Sequence, residues 1–124
     1  MSAAALILLG HGARDPAWAQ PLQRIRQQAL ALAPGGVVEL AFLEFMRPTL
    51  EDAVAALTAA GARRIRVVPV FLAQGGHLKR DLPLRIDALR GEHPGCELEV
   101  SAAVGEDAGV IAAIAACALA TKTS

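Results

Sequence analysis

IRVVPVFLAQGGHLKRDLP, Ile65 to Pro83, decides how the chain folds. Its first part, Ile65 to Phe71, is apolar at nearly every position and short enough for one strand, the pattern of a strand covered on both faces. Pro69 cannot donate to a sheet ladder, so it is placed near the strand's exit. The run breaks at Gly75-Gly76-His77, and a helix is predicted to begin near Asp81 to Pro83, because a proline in the first helical turn loses no hydrogen bond. A buried strand, a glycine turn and a helix make half of a βαβ unit.

The same grammar extends in both directions. Ala4 to Leu9 is a second continuous apolar run and ends in Gly10. From Ala17 the spacing turns helical: Trp18, Leu22, Ile25, Ala29 and Leu32 share one face, and Pro34-Gly35-Gly36 ends the helix. Val37 to Leu43 predicts the next strand, closed by Glu44. Pro48-Thr49 opens a helix whose stripe is Leu50, Val54 and Leu57, with Thr49 and Asp52 at capping-box spacing and Gly61 just past its end. Beyond the opening stretch, Ile86 and Leu89 face inward, and Cys96 to Val100 alternates as an edge strand with Glu97 and Glu99 outward. Val110, Ile111, Ile114 and Ala118 predict a closing helix, and Thr121 to Ser124 a frayed tail. The order β-α-β-α-β-α-β-α predicts one α/β domain over residues 1–124, in three αβα layers around a four-stranded parallel sheet. Right-handed crossovers leave few topologies, and strand order 2-1-3-4 is the expected one.

Composition narrows the function. Lys plus Arg and Asp plus Glu number 12 each, so no net basic charge favours nucleic acid. Ala3 to Leu9 is too short to span a membrane and no basic segment precedes it, so a cytosolic (cytoplasmic) protein is expected. Cys96 and Cys117 have no C-x-x-C or zinc-finger spacing and predict two small buried side chains in a reducing compartment. No G-x-x-x-x-G-K-[ST] segment is present.

In open α/β sheets ligands bind beyond the carboxyl ends of the strands, where the winding reverses. In the order 2-1-3 that rim gathers Gly10-His11-Gly12, Glu44 and Gly75-Gly76-His77. Each residue alone reads as an ordinary turn or surface residue, and His93 is read that way. His11, Glu44 and His77 together suit a divalent transition metal, with positions left open for exchange. Gly75 and Gly76 let backbone come close to a large ligand. Phe45, Met46, Phe71 and Leu72 read either as packing or as a platform for a flat apolar ligand. Arg14, Arg47, Lys79 and Arg80 read either as solvated surface or as partners for several ligand carboxylates.

The segments LLGHGARDPAW, AFLEFMRPTLEDAV and VPVFLAQGGHLKRDLP resemble the small sirohydrochlorin chelatases of the CbiX type, among the class II chelatases, over roughly residues 5 to 105. The resemblance implies a lyase that inserts Co2+ or Fe2+, with Ni2+ a further candidate, into the tetrapyrrole sirohydrochlorin, for cobalamin or sirohaem synthesis. It implies His11, Glu44 and His77 as metal-binding and proton-handling residues, no organic cofactor and no ATP. Many relatives carry two such domains around a cleft, so a homodimer is implied for a chain with one. A metal or tetrapyrrole carrier could use the same rim. A histidine phosphatase is disfavoured, because Leu9-Gly10 and not an arginine precedes His11.

Overall fold

The computed structural model describes residues 3–120. Four strands, β1 (Ala4–Gly10), β2 (Val38–Phe42), β3 (Arg64–Pro69) and β4 (Glu97–Val100), form an all-parallel sheet in the order β2-β1-β3-β4. The expected topology is the observed one, with the winding reversed between β1 and β3. Alternation along β1 explains the layers: Ala5, Ile7 and Leu9 pack with Ile65 and Val67 on one face, and Leu6 and Leu8 fall on the other. The first face is covered by α2 (Leu50–Ala59) and α3 (Gly76–Glu92), through Leu50, Val54, Leu57, Leu82, Ile86 and Leu89. The second is covered by α1 (Gln20–Leu32). Thr49 caps α2 as its spacing predicts, its Oγ1 accepting the Asp52 N–H at 3.1 Å. Pro69 is the last residue of β3, the exit position expected of it.

Four expectations are corrected. First, the α1 stripe is rotated. Trp18 and Leu32 are exposed, Ile25 largely so, and the helix rests instead on Ala19, Leu22, Ala29 and Leu30. A 3-10 turn over Pro16–Ala19 precedes it, and its three-residue period shifts the phase. Second, α3 begins at Gly76, so Pro83 lies inside it and His77, Lys79 and Arg80 are helical. The Lys79 N–H already closes on the Gly75 carbonyl at 3.0 Å. Third, Val110, Ile111, Ile114 and Ala118 do form the predicted closing helix, but it does not pack on the core. They belong to α4 (Ala108–Ala120), which has no buried residue. Fourth, Cys96 is buried but Cys117, on α4, is exposed. The tail predicted to fray, Thr121 to Ser124, lies outside the described residues. Among the described residues no helix is long and apolar enough to cross a membrane.

One ion pair ties the two helices of the first face to the rim. Arg85 of α3 donates two hydrogen bonds to Glu51 of α2, at 2.6 and 2.8 Å, and a third at 3.3 Å to the Leu43 carbonyl, one residue before Glu44. The Arg85 hydrogen bonds hold the Glu51 carboxyl below its ordinary range, against the opposing effect of its partial burial. A depressed carboxyl stabilises the fold above its unfolded-state value, and the gain disappears as pH falls through the lowered one. Arg85→Met is therefore expected to cost about 1 kcal/mol at neutral pH, a figure kept low because both side chains remain partly solvated. The deficit in melting temperature should shrink as the pH drops below ~4, where Glu51 is protonated in the unfolded chain and then in the folded one. Thermal melts of both proteins from neutral to acid pH check this; a deficit independent of pH would assign Arg85 a purely packing role.

Candidate active site

The site begins where β1 runs out. Gly10 hands the chain to His11, and Phe42 hands β2 through Leu43 to Glu44. The two exits are stitched together: the Leu43 N–H donates to the Gly10 carbonyl at 3.0 Å and the Glu44 N–H to the His11 carbonyl at 3.2 Å. Gly12, at φ 90°, makes that closeness possible, since a Cβ there would lie 1.8 Å from the Glu44 carbonyl oxygen. On the other side, the Val70 N–H reaches the Leu9 carbonyl at 2.8 Å and brings the β3 exit alongside.

The side chains sit on this frame in different ways. The His11 ring lies on Phe71, with centroids 4.1 Å apart and planes at 30°. Phe71 is buried and acts as the floor, whereas His11 is exposed above it. His77 is the second residue of α3; its side chain is 86% exposed, and its Nε2 is 2.8 Å from Asp81 Oδ2 one turn later. Glu44 is exposed at the tip of its loop. The sheet order thus delivers all three to one edge. Among the described residues, however, no three His, Cys, Asp or Glu side chains are close enough together to hold one ion. Glu44 is fixed through its backbone rather than its carboxylate, and His77 is engaged by Asp81.

An open cleft of about 820 Å³, lined by none of His11, Glu44 and His77, lies between the Ala13–Ala19 segment, α1, β2 and the Phe45–Pro48 loop. Arg14, Gln23, Gln27, Phe45 and Arg47 line it, with half-buried Met46 at its wall. Phe45 has φ 66°, which costs a residue with a Cβ about 1–2 kcal/mol. Its ring is nevertheless 59% exposed, and the Arg14 guanidinium lies 5.1 Å over it. An aromatic held in a strained backbone and left open to water gains little stability there, as is common at binding sites. Leu72 is also exposed, Lys79 and Arg80 project from the start of α3, and around Gly75 and Gly76 a Cβ would meet only open space.

Asp81, Gln23 and Gln27 escape a reading of the sequence. Asp81 is the i+4 partner of His77, a spacing that counts only if both are helical, whereas Pro83 suggests a helix that starts at Asp81. Gln23 and Gln27 also stand four apart, and only the true phase of α1 turns them toward the cleft.

The model of the CbiX family matches residues 5–119. The chain belongs to the CbiX family. Its relatives include the sirohydrochlorin cobaltochelatase of Methanopyrus kandleri, 40% identical over 79 residues, which are 64% of this chain and 55% of that protein. That of Methanocaldococcus jannaschii is 38% identical over 89 residues, covering 72% of this chain and 62% of the relative. The matched region thus spans little more than half the length of these curated relatives. A shorter one, from Saccharolobus islandicus, is 35% identical over 99 residues, with 77% and 76% covered. Among solved structures, a CbiX protein of Marinobacter aquaeolei VT8 superposes with a TM-score of 0.83 at 28% identity, over 94% of each chain. The sirohydrochlorin chelatase SirB of Bacillus subtilis subspecies spizizenii, in complex with cobalt, gives 0.79 at 28% identity, over 94% of this chain and 50% of SirB.

Proposed function

We infer that the chain is a cytosolic, ATP-independent chelatase that inserts a divalent metal into sirohydrochlorin. Cobalt is the first candidate, because the curated relatives are cobaltochelatases; iron is the second and serves sirohaem rather than cobalamin synthesis. The observation that carries the reading is the placement of a G-H-G and a G-G-H imidazole, from β1 and α3, at one edge of a CbiX-family sheet. Metal insertion breaks two pyrrole N–H bonds, sheds the ligands of the incoming ion and forms four metal–nitrogen bonds. His11 and His77 hold the ion near the macrocycle, and Glu44 assists as a ligand or proton acceptor. Asp81 fits this role for His77: accepting a hydrogen bond from Nε2–H leaves the Nδ1 lone pair for metal. Phe45 and Leu72 offer apolar surface to the ring, and Gly75 and Gly76 leave room for it. A second copy supplies the other half of the cleft; SirB, of which this chain covers half, supports that arrangement.

Absorbance assays with sirohydrochlorin and Co2+, Fe2+ or Ni2+ test the reading. Turnover of many equivalents is expected, whereas stoichiometric binding without acceleration would make the protein a carrier. The carboxylate arms of the substrate belong in the cleft with Arg14 and Arg47. Removing either arginine is expected to raise KM roughly five-fold, the equivalent of ~1 kcal/mol for a solvated pair, with little change in kcat. KM should also rise with ionic strength. A KM indifferent to both changes would remove the cleft from the binding site.

A further inference from the structure

Three polar residues stand four apart along α3: His77, Asp81 and Arg85. That spacing puts them on one face of the helix. His77 is exposed at its start, whereas Asp81 and Arg85 are half-buried. Asp81 holds His77 Nε2 at 2.8 Å, and Arg85 reaches off the helix. Its Nε and Nη2 grip the Glu51 carboxylate at two points, 2.8 and 2.6 Å, while Nη1 donates to the Leu43 carbonyl at 3.3 Å. The hydrogen bond to Glu51, opposed by partial burial and supported by the charges of Glu51 and Asp81, keeps the guanidinium charged.

The Leu43 carbonyl and the Glu44 N–H belong to one peptide group, and that group is bonded on both sides. The carbonyl accepts from Arg85, and the N–H donates to the His11 carbonyl at 3.2 Å. One residue earlier, the Leu43 N–H donates to the Gly10 carbonyl at 3.0 Å. A chain of hydrogen bonds therefore runs from α3, which carries His77, through the backbone of Glu44 to the backbone of His11. Polarisation along such a chain strengthens each link.

Among the described residues the side chains of His11, Glu44 and His77 do not close around one ion, so their separation is set by the backbones that carry them. Helix α3 packs on the sheet through Leu82, Ile86 and Leu89. Apolar packing is non-directional, and packed helices can slide slightly along each other. A guanidinium bonded to a carboxylate and a peptide at once is directional and resists that slide. A misplacement of about 1 Å at a reacting site costs up to about 100-fold in rate.

We propose that Arg85 is a positioning residue for metal insertion: by bonding the Leu43–Glu44 peptide while gripping Glu51, it fixes the helix that bears His77 against the loops that bear His11 and Glu44. This role rests on the chelatase reading above and adds to it a group that touches neither metal nor tetrapyrrole.

Three variants of the full chain test it, each followed by thermal melts, by kcat and KM for sirohydrochlorin, and by titration of the protein with Co2+ alone. Arg85→Met is expected to lower kcat about 10-fold or more and to weaken Co2+ binding similarly, with the sirohydrochlorin KM unchanged. Ile86→Val, the next residue along α3, removes one buried methyl group and should lower the melting temperature comparably, with less than about a two-fold change in kcat. Arg85→Lys keeps the charge beside Glu51 but gathers its donors on one nitrogen, so it cannot grip the carboxylate and reach the Leu43 carbonyl as well. It should recover most of the melting temperature and still turn over about five-fold below wild type, which also answers the case in which Arg85→Met fails to fold. An active wild type whose kcat is matched by Arg85→Met or by Arg85→Lys would overturn the positioning role alone. So would an Ile86→Val protein as slow as Arg85→Met, since stability would then account for both. A wild type that inserts no metal would overturn the chelatase reading, and the role of Arg85 with it.

Discussion

Exchange of His77 for alanine is expected to lower the rate of Co2+ insertion into sirohydrochlorin by about 100-fold or more, the usual loss when a positioned proton-handling group is removed. The melting temperature should stay close to that of the wild type. The difference follows from where the residue sits. His77 lies in the first turn of α3, its side chain is 86% exposed, and its partner Asp81, 2.8 Å away, is on the same helix. Alanine is also the better helix former, so the stability change falls within about 0.5 kcal/mol. His11→Ala should lose comparable activity but also some stability, because its ring covers buried Phe71. Asp81→Asn separates positioning from ligation. If Asp81 only orients the imidazole, insertion falls about 10–100-fold and the apparent affinity for Co2+ falls with it, while the sirohydrochlorin KM is unchanged. Initial rates by absorbance and metal titration, run beside thermal melts, read all three variants. A His77→Ala protein with the wild-type rate would remove the imidazole from the mechanism.

The sheet was legible because its strands are apolar runs bounded by glycine, proline or charge, and because parallel crossovers leave few arrangements. What was misread lies where a second rule overrides the period. Ile25 has the spacing of a core residue, yet the neighbouring position carries the contact. Arg26 lies half-buried across β2 and donates from its guanidinium to the Val38 carbonyl. A hydrophobicity pattern cannot rank an arginine stem above an isoleucine. Pro83 suggested a helix start, but α3 begins seven residues earlier, after Gly75, which has no capping side chain. That shift turns His77 from a loop residue into a helical one and creates the pair with Asp81. The closing helix was legible as a helix, but its apolar composition did not tell that none of its residues is buried in the chain. The sheet order explains why His11, Glu44 and His77 follow strand exits, but among the described residues no three such side chains come close enough to hold one ion, because their settings depend on local bonds that no spacing specifies.

The largest effect on the fold is expected from Gly12→Ala. A Cβ at Gly12 would lie 1.8 Å from the Glu44 carbonyl oxygen and 3.0 Å from its carbon. Backbone cannot rotate aside as a side chain can, so the His11 and Glu44 loops must part. The bonds joining Leu43 to Gly10 and Glu44 to His11 would be stretched or lost at about 1 kcal/mol each. Holding φ at 90° adds about 1–2 kcal/mol for a residue with a Cβ. The sum, roughly 3 kcal/mol, is large against a stability of about 5–15 kcal/mol, and activity should fall with it because the same bonds place the site. Gly76→Ala is the control. Nothing lies within 4 Å of a Cβ there, and Gly76 is the first residue of α3, so its stability should hold or rise by up to ~1 kcal/mol. If that open space is where the macrocycle approaches, Gly76→Ala raises the sirohydrochlorin KM without lowering the melting temperature, and Gly12→Ala lowers the melting temperature first. Equal melting temperatures for Gly12→Ala and wild type would mean that the two loops are not clamped as described. An unchanged KM for Gly76→Ala would move the substrate away from the start of α3.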